Sequence, residues 1–575
     1  MNAIADLQPR PWHAIYQFCG INPVLPPLEE KSLADYVEEH AQQRGSQSSM
    51  EFLGVTISYA QLDVLANRLA NRLAKLGVKQ GDVIGIHLPN TPQYLISLVA
   101  ASKLGAIVSG VSPLLKPAEV MHQINDAQIK VMITLDQFYA AAIAPTSGKV
   151  PTLKAAVVAG PIDALPGIKR FLAYALKKVP KVKLEPMQGV QLLHFWQEMM
   201  GSPATRVHAK IAFDDTIYIQ YTGGTTGKPK GAELTLRSCF SNARQGEAFS
   251  PYSLGEDTVA SAFPYFHAAG LAVSLLGLQM AARLLVVPDP RNVTMLCKEM
   301  QKFPPTILCN VPTLYQMLTE NPEFKKVDFS KLKNAMSGAA PFPAELIHHL
   351  EAIIGQGKLL EVYGMTEASP LLTCNPAQKP KIGSVGIPIV GTDIRIMDVE
   401  TGTREMPLGE AGEIIASGPQ IMKGYRHLPE ASAKSLREYQ GKIWMYTGDV
   451  AKMDEDGYIT ICDRSKDMLI VGGFKVFSVE VEGKLAELDF VGLTALIGQP
   501  DEKRPGNDIV HLYVQLSPEG KSLSEAEARE KILSFCRNTM AAYKVPKFVH
   551  FVDAIPLTPV GKIDKKALRV QSGPV

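Results

Sequence analysis

A chain of 575 residues, 46% hydrophobic and 20% charged, can bury a large core and is too apolar for an extended disordered protein. With 59 basic against 57 acidic residues the formal net charge is +2, so overall charge gives no footprint for nucleic acid and none is expected as a partner. Seven scattered cysteines without a C-x-x-C pair fit a reducing compartment, and the lack of any run of about 18 apolar residues or of a basic-then-apolar leader predicts a cytoplasmic protein.

From about residue 30, helical and extended patterns alternate. Residues 33–45 and 59–76 carry helical spacing, 82–88 reads as a short apolar strand, and 93–104 is helical again. That alternation predicts an α/β fold with a mostly parallel sheet. Apolar runs at 155–158, 258–262, 284–287, 307–309 and 358–362 continue it, with no repeat in the sequence itself. Within this stretch Ile168, Phe171, Leu172, Ala175, Leu176 and Val179 form an apolar stripe flanked by Lys169, Arg170, Lys177 and Lys178. A basic amphipathic helix over 168–183 can pack on its own domain, the plainer account, or meet acidic lipid, which would place the protein peripherally at the inner face of the membrane.

After about residue 380, short runs punctuated by glycine turns predict a smaller β-rich unit. Asp454-Glu455-Asp456-Gly457 reads as a hairpin turn, because a calcium loop with its glycine at Gly457 would need a ligand where Lys452 stands. Asp463 to Asp467 is a charged interruption between strand patterns at 458–461 and 468–471. It is the expected hinge between a large N-terminal domain, 1–463, and a small C-terminal one, 464–575, where the pattern returns to α/β.

Four segments carry chemistry. YTGGTTGKPKG, from Tyr221 to Gly231, follows an apolar strand pattern at 216–219 and gathers Thr222, Gly223, Gly224, Thr225, Thr226, Gly227, Lys228 and Lys230. Such a loop suits a nucleotide's phosphates: glycines allow positive φ and close approach of the backbone to an anion, while hydroxyls, N–H groups and ammonium groups supply donors and charge. It is not a Walker A loop, which would need glycine where Thr222 stands, a hydroxyl where Pro229 stands, and a helix that Pro229-Lys230-Gly231 would break. YGMTEASP, from Tyr363 to Pro370, follows the strand pattern 359–362, at the kind of strand end where α/β sheets bind ligands. There Tyr363 can stack on a base, Thr366 contact a phosphate and Glu367 hold Mg²⁺ between phosphate oxygens; alternatively Thr366 and Glu367 merely cap a helix start. YTGDV, 446–450, presents Asp449 to a ribose diol, with Arg464 fifteen residues on, although a turn aspartate and a surface arginine are the plainer account of each alone. PLTPVGKIDKKAL, 556–568, puts Lys562 on a loop bounded by proline and glycine.

In this order, over nearly the whole chain, the four segments resemble the adenylate-forming superfamily of acyl-CoA synthetases, acyl and aryl ligases, luciferases and peptide-synthetase adenylation domains. Phe263-Pro264-Tyr265-Phe266-His267 is similar to that family's aromatic-histidine motif, Ser337 to Pro341 to its adenine-side segment, and Gly412-Glu413 through Gly418 to Gly424-Tyr425 to its core-subdomain motif. DRSKDMLIVGGFKV, from Asp463 to Val476, resembles the hinge and CoA-side segment of bacterial medium- and long-chain fatty acyl-CoA synthetases. Two positions depart from the pattern: Glu361, where many relatives have glutamine, and Lys475, where fatty acyl enzymes often show asparagine.

The resemblance implies a large N-terminal domain of two α/β subdomains plus a β-rich subdomain, and a small, mobile α+β C-terminal domain. It implies an ATP-dependent fatty acid:CoA ligase that forms an acyl-adenylate and then a thioester, with ATP, Mg²⁺ and CoA. An aryl or other carboxylic acid:CoA ligase, an acyl-adenylate synthetase that loads a carrier protein, and a non-catalytic nucleotide-binding protein are the alternatives. By the same resemblance Glu367 holds the metal, Thr225, Thr226 and Thr366 orient phosphates, Lys562 bridges carboxylate and α-phosphate, and Lys466 is the pivot of domain rotation. Ala339, Glu361, Tyr363, Asp449, Arg464, Lys466, Gly472 and Gly473 join the loop residues as cofactor-binding positions. His267 closes the acyl pocket in this scheme, and a purely structural histidine stays open beside it. Acyl chain length, pathway, and the choice between monomer and homodimer are not fixed by the sequence.

Overall fold

A computed structural model describes residues 10–165, 182–222, 229–250, 252–340, 342–472, 474–501, 504, 506–557 and 563–571. Local chemistry accounts for the first predicted helices. Ser32 and Asp35 exchange side-chain and backbone hydrogen bonds in a capping box that opens the helix Leu33–Gln43, and Ser58 with Gln61 does the same for Tyr59–Lys75. Pro92 starts the helix Pro92–Leu104 and Gly105, at φ +65°, stops it in the left-handed conformation. This last helix is buried almost all round, because it lies in one apolar cluster with residues of two sheets: Ile84 and Val108 of the first, Val259 and Leu284 of the second.

The two sheets share one winding order. In the first, the parallel strands Val83–His87, Ile107–Gly110, Ile129–Leu135, Ala155–Ala159 and Gln191–His194 lie in the spatial order two, one, three, four, five. In the second, Thr258–Ser261, Arg283–Leu285, Ile307–Asn310, Asn334–Ser337 and Leu359–Gly364 repeat it. Both are doubly wound. The repetition is architectural, with no counterpart in the sequence.

Each sheet is then extended. Thr216–Thr222 joins the first beside Ile107–Gly110 and turns back antiparallel as Lys230–Thr235; Leu371–Cys374 joins the second antiparallel to Leu359–Gly364. The predicted β-rich unit is a sheet of Asp393–Met397, Gly412–Ser417, Lys442–Met453, Leu436–Tyr439 and Ile459–Arg464. Its hairpin turn is the acidic tetrad, in which Asp454 Oδ1 accepts from the N–H groups of Asp456 and Tyr458 and Gly457 takes φ +85°. In the small C-terminal domain the helices Ser478–Leu485 and Glu525–Thr539 pack with the strands Val491–Pro500, Asp508–Leu516 and Phe548–Phe551 around Leu496, Leu512 and Ile532.

One expectation moves. The charged interruption at 463–467 begins later than its composition suggests, because Ile459–Arg464 stays in the ladder through Asp463 and Arg464, and Ser465 N–H still donates to Gly448 O at 3.0 Å. The expected basic helix at 168–183 lies almost wholly outside the described residues. Among the described residues, no helix is long and apolar enough to cross a membrane.

Candidate active site

The phosphate-type loop is carried on a hairpin. Thr222 pairs with Lys230 and Tyr221 with Gly231, so the chain returns as a strand and not as a helix, as Pro229 predicts. A Cβ at Gly231 would stand 2.7 Å from Ile219 Cγ2, so glycine there lets the two strands close. Gly223, Gly224, Thr225, Thr226, Gly227 and Lys228 lie outside the described residues; the structure places the two ends of their loop, Thr222 and Lys230.

The strand Leu359–Gly364 carries Tyr363 next to its last residue and runs into the short turn Thr366–Ala368. The Tyr363 hydroxyl donates to Asp449 Oδ2 at 2.6 Å, and Arg464 Nε lies 3.2 Å from Asp449 Oδ1. Asp449 and Arg464 are directly opposed in the ladder between Lys442–Met453 and Ile459–Arg464, so their fifteen-residue spacing is that of a hairpin. This replaces the separate turn aspartate and surface arginine with one buried carboxylate clamped from two sides. Burial, then the Asp449 charge, holds the Tyr363 phenol well above the ordinary tyrosine range, which keeps it a donor.

Glu367 is buried, and its side chain does not cap its own turn. Its Oε1 accepts from the Tyr425 hydroxyl at 2.7 Å, and its backbone carbonyl accepts from Met422 N–H at 2.8 Å. Lys230 Nζ in turn lies 4.7 Å from the centroid of the Tyr425 ring. One buried carboxylate beside an expected phosphate loop is the hard-oxygen donor that suits a divalent cation shared with phosphates.

Glu361 lies two residues before Tyr363, accepts from Gly383 N–H at 3.3 Å, and is pushed up to about 7 by burial. Ala339 stands just past the strand Asn334–Ser337 at φ +73°, a strained conformation for a residue with a Cβ. Gly338 before it lets that segment close on Leu359–Gly364, since a Cβ there would meet Val362 Cγ2 at 2.8 Å. Among the described residues, Ser337 Oγ and Gln220 Nε2 are buried with no hydrogen-bond partner. Ser337 is the last residue of its strand and Gln220 lies on the strand that leads to the phosphate hairpin, and a ligand reaching either atom would satisfy it.

His267 caps the helix Ala268–Gln279, its Nδ1 accepting from Ala269 N–H at 3.4 Å. The aromatic segment before it is held by Asn90, which donates to Phe263 O at 2.9 Å and accepts from Tyr265 N–H at 2.8 Å. A Cβ at Gly110 would lie 2.7 Å from Phe266 O and 3.2 Å from Gln220 Oε1, so the segment sits against the end of Ile107–Gly110, the neighbour of the strand that leads to the phosphate hairpin. Sequence reasoning missed Asn90 as the residue that holds this segment, and the contact of Tyr425 with Glu367. The Pro89-Asn90-Thr91-Pro92 run after a predicted strand was the available signal for the first.

Past Arg464, Lys466 is exposed and Asp467 is tied to Arg569 at 2.7 Å. Asp463, still in the β-rich sheet, accepts from the N–H of Ser478 at the start of a C-terminal-domain helix. Gly472 takes φ +59° and donates to Asn507 Oδ1 at 2.8 Å. Gly473 and Lys562 lie outside the described residues.

The comparisons with known proteins agree with this arrangement along the chain. Residues 37–426 match the AMP-binding enzyme family and 480–562 the AMP-binding enzyme C-terminal domain. The long-chain-fatty-acid--CoA ligase of Yersinia pestis is 34% identical over 558 residues, 95% of each chain, and that of Bacillus subtilis 34% over 571 residues, 97% of each. The 4-coumarate--CoA ligase of Pinus taeda is 33% identical over 527 residues, 89% of each. Among solved structures, the anthranilate CoA ligase AuaEII in complex with anthranoyl-AMP superposes with a TM-score of 0.82 at 27% identity, covering 95% of this chain and 98% of that one. ATP-bound MatB from Rhodopseudomonas palustris gives 0.76 at 27% identity, covering 94% and 98%. Matched over residues 37–426 and 480–562 by two family models, and over 95% or more of its length by CoA ligases, the chain belongs to the AMP-binding enzyme family.

Proposed function

We propose that the protein is an ATP-dependent fatty acid:CoA ligase that forms an acyl-adenylate and transfers the acyl group to CoA, releasing AMP and pyrophosphate. The single observation that carries the nucleotide half is the clamped carboxylate: Asp449, fixed by Tyr363 and Arg464, can accept two hydrogen bonds from a ribose diol without first reorganising. The fatty acyl half rests on the long-chain relatives from Yersinia pestis and Bacillus subtilis.

In the first half-reaction a carboxylate oxygen of the acid attacks the α-phosphorus of ATP, a P–O bond forms, and the bond to the β-phosphate oxygen breaks to release pyrophosphate. An anion meeting a polyanion needs positive charge and donors. The hairpin ends Thr222 and Lys230, with Thr225, Thr226 and Thr366, orient phosphate oxygens, and Lys562 bridges carboxylate and α-phosphate. Glu367 is the residue to hold Mg²⁺, which when bound offsets phosphate charge and polarises the α-phosphoryl group. Ala339, Glu361 and Tyr363 border the base. In the second half the CoA sulfur attacks the acyl carbonyl, the thiol proton leaves to solvent, and AMP departs with the phosphate oxygen. The C-terminal domain, 464–575, rotates about Lys466 so that the segment with Gly472 and Gly473 replaces Lys562 at the site. His267 supports the mouth of the acyl pocket through its helix cap.

A second reading, an aryl acid:CoA ligase, is favoured by the 4-coumarate relative and by the anthranilate structure. Pyrophosphate release across a panel of fatty and aromatic acids, with and without CoA, tests both. Single-turnover release without CoA, best with fatty acids and followed by thioester only when CoA is added, is the expected result. A preference for aromatic acids would favour the second reading, and transfer only to a carrier protein would overturn both.

A further inference from the structure

The motif that ends in Gly424-Tyr425 takes no part in the steps above, yet its tyrosine stands where three elements meet. The two-residue strand Gly424–Tyr425 pairs antiparallel with Lys230–Thr235, the strand leaving the phosphate hairpin, and sets Tyr425 opposite Ala232. From there the phenol reaches Glu367 Oε1 at 2.7 Å, and the Lys230 ammonium sits 4.7 Å from the centre of the same ring. The backbone around it is pinned on both sides: Lys423 N–H donates to Glu233 O at 2.9 Å, Arg426 N–H to Gly231 O at 2.8 Å, and Tyr425 N–H to Ser432 Oγ at 2.8 Å. A side chain held this firmly can transmit position to its partners.

We propose that Tyr425 is a positioning residue for the metal carboxylate: its hydroxyl fixes one oxygen of Glu367 so that the other faces a divalent cation, while its ring seats Lys230 beside the same phosphates. The proposal rests on Glu367 as the metal ligand. Its chemistry follows from the donor set. A neutral phenol engages one carboxylate oxygen without cancelling the charge, which leaves a monodentate ligand of the kind Mg²⁺ takes when most of its shell is phosphate and water. The ring attracts the Lys230 ammonium through its face, so the lysine is placed without spending its N–H donors.

The test is Mn²⁺ binding to the full-length protein in the presence of ATP, followed by electron paramagnetic resonance. Glu367→Gln should lose tight Mn²⁺ binding. Tyr425→Phe, which removes one hydroxyl and keeps the ring, should weaken it about tenfold, the lower end of what loss of a ligand-orienting partner costs, and should add nothing in the Glu367→Gln background. Incorporation of 4-aminophenylalanine at 425, which restores a donor, should recover the affinity. Half-saturation by Mg²⁺ in pyrophosphate release should rise by the same factor in Tyr425→Phe, while thioester formation from supplied acyl-adenylate keeps its rate. Should the phenylalanine variant not fold, 4-fluorophenylalanine at 425, which keeps the ring and fills the hydroxyl's place without donating, gives the same contrast against 4-aminophenylalanine. Loss of Mn²⁺ in Glu367→Gln with unchanged affinity in Tyr425→Phe overturns the proposal; unchanged affinity in Glu367→Gln overturns the metal assignment beneath it. An equal fall in both half-reactions for Tyr425→Phe would make the tyrosine merely structural.

Discussion

In the first doubly wound sheet the strand that begins the winding, Val83–His87, ends in a histidine sealed inside the protein, with Nδ1 3.1 Å from Thr134 Oγ1 and its ring 5.4 Å from that of Phe138. In the second, the strand that ends the winding, Leu359–Gly364, ends in side chains that reach other elements: Tyr363 to Asp449, and just beyond it Glu367 to Tyr425. Sheets of this order commonly take ligands where the winding reverses. Here the first reversal is filled by His87, Thr134 and Phe138, and the second is closed by Ser261 donating to Cys309 O at 2.8 Å and Ala262 N–H donating to Asn310 Oδ1 at 2.9 Å. Identical topology therefore supplies rigid strand ends but not their chemistry. The clamped carboxylate of the candidate site gathers at the last strand of the second sheet because Tyr363 there meets Asp449 of the β-rich sheet.

The harshest test of this division removes a charge that neither sheet supplies. Lys562→Ala should lower adenylation by roughly 10²- to 10³-fold, the scale for losing one transition-state donor, and leave thioester formation from supplied acyl-adenylate intact. Single-turnover assays of the two halves measure it. Equal losses would mean that the sheets and their loops do not suffice for the second half and that Lys562 has another role.

The two sheets should also respond to pH with opposite signs. Burial lowers His87 from 6.5 to about 4, so between those values the unfolded chain binds the extra proton and stability falls as pH drops. Burial raises Glu361 from 4.5 to about 7, so there the folded protein holds the extra proton and stability falls as pH rises. Each effect is on the order of 3 kcal/mol over its window, at 1.36 kcal/mol per pKa unit. The windows overlap from 4.5 to 6.5, where these two contributions oppose each other. Relative to the parent protein, Glu361→Gln should therefore tilt stability upward with rising pH, and His87→Asn tilt it downward, in thermal melts from pH 4 to 8. Parallel curves for the three proteins would remove the contrast.

Much of this was legible beforehand. Hydrophobic period placed Leu33–Gln43, Tyr59–Lys75 and Val83–His87 within a residue or two, and Pro229 excluded the Walker A geometry that the hairpin now replaces. The repeated winding order was not legible, because strand order depends on which apolar faces meet and not on any residue pattern. Nor was the partnership of Tyr363, Asp449 and Arg464, which joins a strand end of the second sheet to a hairpin 86 residues away. Each residue alone has a commonplace surface role, and only the ladder register sets Asp449 opposite Arg464. Tyr425 was hidden for the same reason, its partners Lys230 and Glu367 lying on a strand of the first sheet and in a turn between two strands of the second.

The finest test asks whether that partnership exists to hold a ribose. Asp449→Ala removes the ionised acceptor but also strands the buried Tyr363 hydroxyl, so it mixes a binding loss with a folding cost of about 1–3 kcal/mol. Asp449→Asn separates the two, since its amide oxygen still accepts from Tyr363 while the charge that Arg464 faces and the diol would use is gone. Hydrogen bonds to charged groups are worth roughly 1.5–3 kcal/mol, which converts to about ten- to a hundredfold in ATP affinity, with acyl-acid affinity unchanged. Replacing ATP by 2′,3′-dideoxy-ATP should then cost the parent protein much more than the asparagine variant. Equal sensitivity to the missing hydroxyls would leave the clamp at the end of the second sheet as scaffolding, no different in kind from His87 in the first.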